Sequence, residues 1–195
     1  MKLIKLLSIA AVAATLSFGY QPSAKAGETF ALDKPHTQIK FSVNRGGWSR
    51  VAGWFTKFDG SINFDEANVG NSSVSATIDT ASLDTGFAAR NKHLRSPAFF
   101  NVKEFPTMTF KSTKIEKTGA KTGKMTGNLT LLGVTKPVTL DVVFNRKAPH
   151  PRNKMMFAGF TATGKINRAD YGMKFLIRAV SNEVQIEIQA LSVKK

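Results

Sequence analysis

The chain has 195 residues and no cysteine, and its 28 basic and 13 acidic residues give a formal charge of +15. Without cysteine, disulfides, thiolate catalysis and thiolate metal sites are excluded, so stability rests on packing. The cations are scattered and no zinc-finger or RNP1-type sequence occurs, so nucleic acid is not an expected partner.

The first stretch, MKLIKLLSIAAVAATLSFGYQPSAKA, has the three parts of a secretory signal peptide. Lys2 and Lys5 form the basic region, an apolar run extends from Leu6 to about Gly19, and Ala24 and Ala26 flank Lys25 as an A-x-A cleavage site. The run is shorter than the roughly 20 residues a membrane span needs. Residues 1–26 are therefore expected to be removed, leaving one domain over residues 27–195 and a periplasmic or secreted location. Loss of Lys2, Lys5 and Lys25 leaves 25 basic and 13 acidic residues, 25 − 13 = +12. Such a surplus favours contact with anionic surfaces such as phospholipid headgroups, the alternative being an ordinary solvated surface.

Period-two alternation dominates residues 27–195, and it places successive side chains on opposite faces of a strand. In HTQIKFSVN, Ile39, Phe41 and Val43 share one face. The pattern recurs in SVSATID (Val74, Ala76, Ile78), TMTFKS (Met108, Phe110), NLTL (Leu129, Leu131), PVTLDVVFN (Val138, Leu140, Val142, Phe144), FAGFTATGKI and EVQIEIQAL (Val184, Ile186, Ile188, Ala190). Turn residues separate these runs at Asp59-Gly60, Gly70-Asn71, Thr118-Gly119, Leu132-Gly133 and Pro149 to Asn153. Short strands without intervening helices predict an all-β antiparallel domain, closed as a barrel or stacked as a sandwich. About eight strands would enclose an interior filled by side chains or holding one small ligand. The inward set is expected to mix phenylalanines with Gly53, Ala76, Gly127, Gly159 and Ala162, which would leave a channel or simply taper the packing.

One region breaks the alternation. FAARNKHLR, Phe87 to Arg95, favours a helix, with Asp84-Thr85-Gly86 as its N-terminal turn and Pro97 beyond its end. The two carboxylates of DTASLDT, Asp79 and Asp84, suit general acid–base work, but capping and turn closure at the helix entrance is the stronger reading. Asp84 or Asp79 is also an available partner for Arg90.

His36, His93 and His150 have no metal-ligand spacing, and no P-loop, G-x-S-x-G, H-E-x-x-H or Rossmann glycine pattern occurs in residues 27–195. No metal, cofactor or catalytic residue is expected, and binding is favoured over turnover. An enzyme acting on an amphiphile in the same cavity is the alternative.

Three segments together resemble the YceI-like lipid-binding proteins. They are SLDTGFAARNKHLRSPAFFNVKEFPTMTFKST (Ser82 to Thr113), GWSRVAGWFTKFDGSINFD (Gly47 to Asp65) and TGNLTLLGVTKPVTLDV (Thr126 to Val142). The resemblance runs in one order over nearly all of residues 27–195. It implies an elongated, antiparallel, lipocalin-like β-barrel of about eight strands, with one short helix inserted near residues 86–96. It further implies an apolar tunnel for a polyisoprenoid, an isoprenoid quinone or a fatty-acid derivative, bacterial export, and a homodimer in some members. Two departures, Asn44 and the HPRNKMM segment, are expected at the rim, where headgroups rather than chains are selected.

Candidate wall residues on this reading are Ile39, Phe41, Val43, Phe110, Leu129, Leu131, Val142, Phe144, Phe160 and Ile186, with ordinary core packing as the alternative role. Arg90, His93 and Arg95 are candidates for the polar end. Arginine offers a planar fork of donors to a phosphate or quinone oxygen and histidine adds one more. The competing reading pairs Arg90 with Asp84 or Asp79 and leaves Lys92 and Arg95 in solvent.

Overall fold

The computed structural model describes residues 27–195; the predicted signal peptide lies outside them. Among the described residues eleven strands occur in chain order: β1 (Glu28–Leu32), β2 (Gln38–Arg45), β3 (Ser49–Phe55), β4 (Phe58–Phe64), β5 (Ser73–Asp79), β6 (Leu83–Asp84), β7 (Thr107–Lys117), β8 (Thr122–Leu131), β9 (Val134–Pro149), β10 (Met156–Asn167) and β11 (Val180–Lys194). One α-helix, α1 (Ala88–Arg95), lies between β6 and β7.

Every pairing is antiparallel, and the sheet closes because β1 pairs with both β4 and β11. The eleven segments make eight staves. β1 and β2 are one interrupted stave, since β11 pairs with β2 through Val184 to Gln189 and with β1 through Ser192 to Lys194. β3 and β4 form a second, paired with β2 and β1 in turn, and β5 and β6 a third. The result is the predicted closed, all-antiparallel eight-stranded barrel with one inserted helix.

The break between β1 and β2 has a local cause. Pro35 brings no N–H to the ladder and sits in a short 3₁₀ turn, Lys34–His36. The side chain of Thr37 replaces the lost backbone bond: its Oγ1 donates to the Leu191 carbonyl at 2.9 Å and lies 3.2 Å from the Leu191 N–H. β1 itself escapes the sequence reading because only Phe30 and Leu32 alternate inward, beside the expected cleavage site. Phe30 is nonetheless fully buried.

Inward residues follow the predicted alternation on every strand that the pattern identified, with one exception. Gly159 lies between Ala158 and Phe160, which both pack in the interior, so it points outward, beside a register shift in the β9–β10 ladder. The other interior glycines make room for side chains. A Cβ on Gly53 would sit 2.6 Å from the Phe41 ring, one on Gly127 would meet the Phe110 ring, and one on Gly164 would lie 2.5 Å from Leu140 Cδ2. Tapered packing therefore explains these glycines. β9 and β11, at 16 and 15 residues, reach roughly 50 Å each at about 3.3 Å per residue, which makes the barrel long.

The helix end and the opposite end are set by strand direction. The β2–β3 turn, α1, the β8–β9 turn and the β10–β11 loop lie at the helix end. The β4–β5, β7–β8 and β9–β10 connections and both ends of the described chain lie at the other. At that far end Lys147 bridges Glu28 and Glu66 at 2.7 and 2.9 Å, and Lys194 meets Glu28 at 2.7 Å. These cations hold the Glu28 carboxyl at a pKa of about 2.

Candidate functional site: an apolar tunnel with a cationic mouth

A cavity of about 590 Å³ runs along the barrel. At the helix end it is bordered by Arg45, His93, Met173, Leu176 and Val180, and at the far end by Val69, Ser72, Gly119 and Lys121. Between them the wall is hydrocarbon. Ile39, Phe41, Val43, Phe110, Leu129, Leu131, Val142, Phe144, Phe160 and Ile186 all line it. Val43, Val184 and Ile186 point inward yet stay only half-buried, because they border this cavity rather than a filled core.

Two buried clusters frame it. The larger, around Phe55, Leu83, Phe99, Phe100, Leu140 and Tyr171, occupies the middle and the helix end, and the smaller joins Phe30, Ile62, Phe64 and Ala158 toward the far end. Aromatic rings link cluster to wall. Phe41 lies 5.5 Å from Phe55 and 6.4 Å from Phe100, and Phe64 lies 5.3 Å from Phe144 and 5.2 Å from Phe160. Such tilted and edge contacts add to area burial.

Helix α1 carries the charged half of the segment RNKHLRSPAFF and hands over to buried Phe99 and Phe100. No polar residue caps its start; the N-cap position is Phe87. Asn91 instead ties the turn before the helix to its body. Its Oδ1 accepts from the Thr85 N–H at 2.9 Å and from the Thr85 hydroxyl at 2.6 Å, while its Nδ2 donates to Asp84 Oδ1 at 2.8 Å. The Gly86 N–H and Asn91 hold the Asp84 carboxyl below its ordinary value. Asp79 accepts from the Ala81 N–H at 2.8 Å, so both carboxylates close turns rather than pair for acid–base work.

The polar-end candidates separate. Arg90 and His93 line the cavity, and Arg95 does not. At about 100° per residue, His93 lies about 60° around the helix from Arg90 and Arg95 about 140°. Arg95 instead donates to the Ala81 and Leu83 carbonyls at 2.8 and 2.7 Å, which ties the helix to the β5–β6 stave. Arg90 pairs with neither Asp84 nor Asp79. Its Nε donates to Thr85 Oγ1 and its Nη2 to the Thr85 carbonyl, both at 2.8 Å, and the guanidinium lies 5.6 Å from the Phe87 ring centre. His93 stands edge-on to Phe99 and Phe175, with ring centres 5.0 and 5.6 Å apart.

Arg168 is the residue at this end that the sequence pattern did not single out. It is 2 % exposed and lines the cavity, and its guanidinium donates to the carbonyls of Ser181, Met173, Phe175 and Val180 at 2.8 to 3.0 Å. Burial lowers its pKa from the ordinary arginine value. Four carbonyl partners compensate a charge that has no carboxylate beside it, and they shape the β10–β11 loop into the rim of the mouth. The only signal for it in the sequence was a lone arginine at an inward position at the end of an alternating strand.

The remaining imidazoles lie elsewhere. His36 meets Asp33 at 2.8 Å on the interrupted stave, and His150 is in the β9–β10 connection beside Phe157. Asn44 accepts from the Gly47 N–H at 2.6 Å in the β2–β3 turn, at the helix-end rim, while the HPRNKMM segment lies at the far-end rim.

Known proteins share this architecture. The barrel resembles the crystal structure of Burkholderia cenocepacia BcnA, with a TM-score of 0.75 and 25% identity over 82% of this chain and 98% of that one. It resembles a Campylobacter jejuni YCEI protein with a TM-score of 0.71 and 33% identity over 75% and 86% of the two chains. A polyisoprenoid binding domain from Saccharophagus degradans shares the fold at a TM-score of 0.64 and 16% identity, over 85% of this chain and 98% of that one. In sequence, the chain is 41% identical to Protein YceI of Salmonella arizonae over 89% of its own length and 90% of that protein's. It is 42% identical to a UPF0312 protein of Enterobacter sp. (strain 638), over 85% and 86%. The model of the YceI-like domain matches residues 30–191, and with these relatives it establishes that the chain belongs to the YceI-like family.

Proposed function

We propose that this protein is an exported carrier or store for one amphiphile with a long hydrocarbon chain, of the polyisoprenoid or isoprenoid-quinone class. The observation that carries the reading is the tunnel itself, whose walls are predominantly hydrocarbon while cationic side chains stand at its ends, Arg45 and Arg90 at the helix end and Lys117 and Lys121 at the other. Burying a CH₂ contributes roughly 0.8 kcal/mol, so several five-carbon units supply ample affinity without polar contacts along the wall. Specificity then rests on length and shape, with Arg90 and His93 offering donors to a headgroup oxygen. The shared fold of the Saccharophagus degradans polyisoprenoid binding domain supports the ligand class.

Binding is favoured over turnover because the polar side chains lining the mouth form no nucleophile–base pair among the described residues. Arg90 is tied to Thr85 and Arg168 to four carbonyls, and no carboxylate bonds His93 among the described residues. One chain closes the barrel by itself, so the reading needs no partner subunit.

The test is to express the full chain in a bacterium, purify it gently from the periplasm, and identify extracted lipid by mass spectrometry. A near-stoichiometric prenyl lipid is expected. An empty barrel, or failure of the protein to reach the periplasm, would overturn the corresponding half of the proposal.

A further inference from the structure

Among the described residues, five of the nine large apolar side chains that stay exposed lie on the segments around the helix-end mouth. They are Trp48 at 91 %, Phe87 at 58 %, Phe175 at 46 %, Leu176 at 44 % and Ile177 at 39 %. Contacts join these segments into one face. The β2–β3 turn meets the β10–β11 loop, since the Asn44 N–H donates to Ser181 Oγ at 3.0 Å and a Cβ on Gly46 would lie 3.8 Å from the Ala179 carbonyl. His93 packs on Phe175, and Arg90 lies by Phe87.

The same face is cationic. Besides the buried Arg168 and Arg95, which is turned onto the Ala81 and Leu83 carbonyls, segments 44–50, 84–95 and 168–180 carry six Lys and Arg residues and two carboxylates, Asp84 and Asp170. Among the described residues, no ion pair uses Arg45, Arg50, Lys92, Lys174 or Arg178; the pairs lie on the walls and at the far end. Arg45 and Leu176 belong both to this face and to the cavity lining, so the tunnel meets the surface here.

We infer that this end docks on an anionic lipid bilayer, with Trp48 and the Phe175–Ile177 loop entering the interface and the surrounding cations holding the headgroups. Tryptophan favours the headgroup level, and apolar tips ringed by Lys and Arg bind by buried area together with attraction to anionic lipid. The inference rests on the proposed lipid cavity for its purpose, because docking mouth-first lets a chain pass between bilayer and tunnel without crossing water.

The test uses protein purified after expression of the full chain carrying Trp54→Phe, so that Trp48 is the single tryptophan reporter, with vesicles of phosphatidylcholine alone or with about a third phosphatidylglycerol. The anionic vesicles are expected to shift Trp48 emission to the blue and to cosediment the protein, more weakly in 0.5 M salt. Lys174→Glu with Arg178→Glu is expected to lower partitioning by about tenfold or more, and Trp48→Ser to lower it as well. The far-end pair Arg152→Glu with Lys154→Glu, both exposed and outside the cavity lining, serves as the control and is expected to change it much less. No binding, no Trp48 shift, or equal losses from the two charge-reversed pairs would overturn docking by this face. Lipid extracted from each variant reports separately on the cavity: docking without cavity lipid would sink the carrier reading alone, and cavity lipid without docking would sink this inference alone.

Discussion

Arg90 is held by Thr85 through two parallel bonds, Nε to the hydroxyl and Nη2 to the carbonyl, each 2.8 Å long. Nη1 has no hydrogen-bond partner among the described residues, and the side chain lines the tunnel. Thr85 thus orients a guanidinium whose free edge is available to a headgroup. Arg90→Ala is expected to cut copurified lipid or its affinity by about tenfold, the scale of one charge-assisted bond. Lipid measured by mass spectrometry beside a urea midpoint separates binding from folding. Lost stability with unchanged lipid would assign Arg90 a structural role only.

Arg168 stabilises the mouth by donating to four carbonyls at once. Arg168→Met keeps much of the volume and strands those acceptors, so it is expected to cost about 3 kcal/mol or more in urea unfolding. Loosening of the β10–β11 loop should show as faster amide exchange at Phe175 to Val180.

Glu28 ties β1 to the far end through Lys147 and Lys194. Its folded pKa, about 2, lies below the ordinary 4.5, so the stabilisation is complete above about 4.5 and is lost as pH falls toward about 2. Glu28→Gln is expected to lower stability at pH 7 by on the order of 2 kcal/mol, because the lysines are partly solvated. The difference between variant and wild type should shrink through that acid window in urea titrations. A gap independent of pH would show that the ion pairs are not its source.

Ile186 sits on the tunnel wall beside its cross-strand neighbour Phe41 and is only half-buried. A larger ring there projects into the cavity instead of a filled core. Ile186→Trp is expected to reduce bound lipid severely while changing stability by no more than about 1–3 kcal/mol. Lipid content unaffected by the ring would place the ligand elsewhere.

Much of the barrel was legible along the chain because alternation is a local property. Successive side chains of a strand point to opposite faces whatever the strand pairs with, so Ile39, Phe41 and Val43, or Val142 and Phe144, announce an inward face before any partner is known. The helix was equally visible, since FAARNKHLR abandons that period. Phe30 and Leu32 were too few to show a pattern, although β1 is the strand that closes the barrel.

Apart from β1 and the outward-turned Gly159, the inward faces of the alternating strands and the inserted helix were thus determined by the sequence alone. What only the tertiary structure decided were the relations between distant residues. Ser192 pairs with Leu32 across most of the chain to close the sheet. Arg95 was separated from Arg90 and His93 because the helix lies on the barrel with one side toward the mouth and another on the Ala81 and Leu83 carbonyls. Arg168 found four carbonyls through the folding of its own loop. A charged side chain takes whichever partners the packed backbone brings within about 3 Å, and neither spacing nor residue type specifies that neighbourhood in advance.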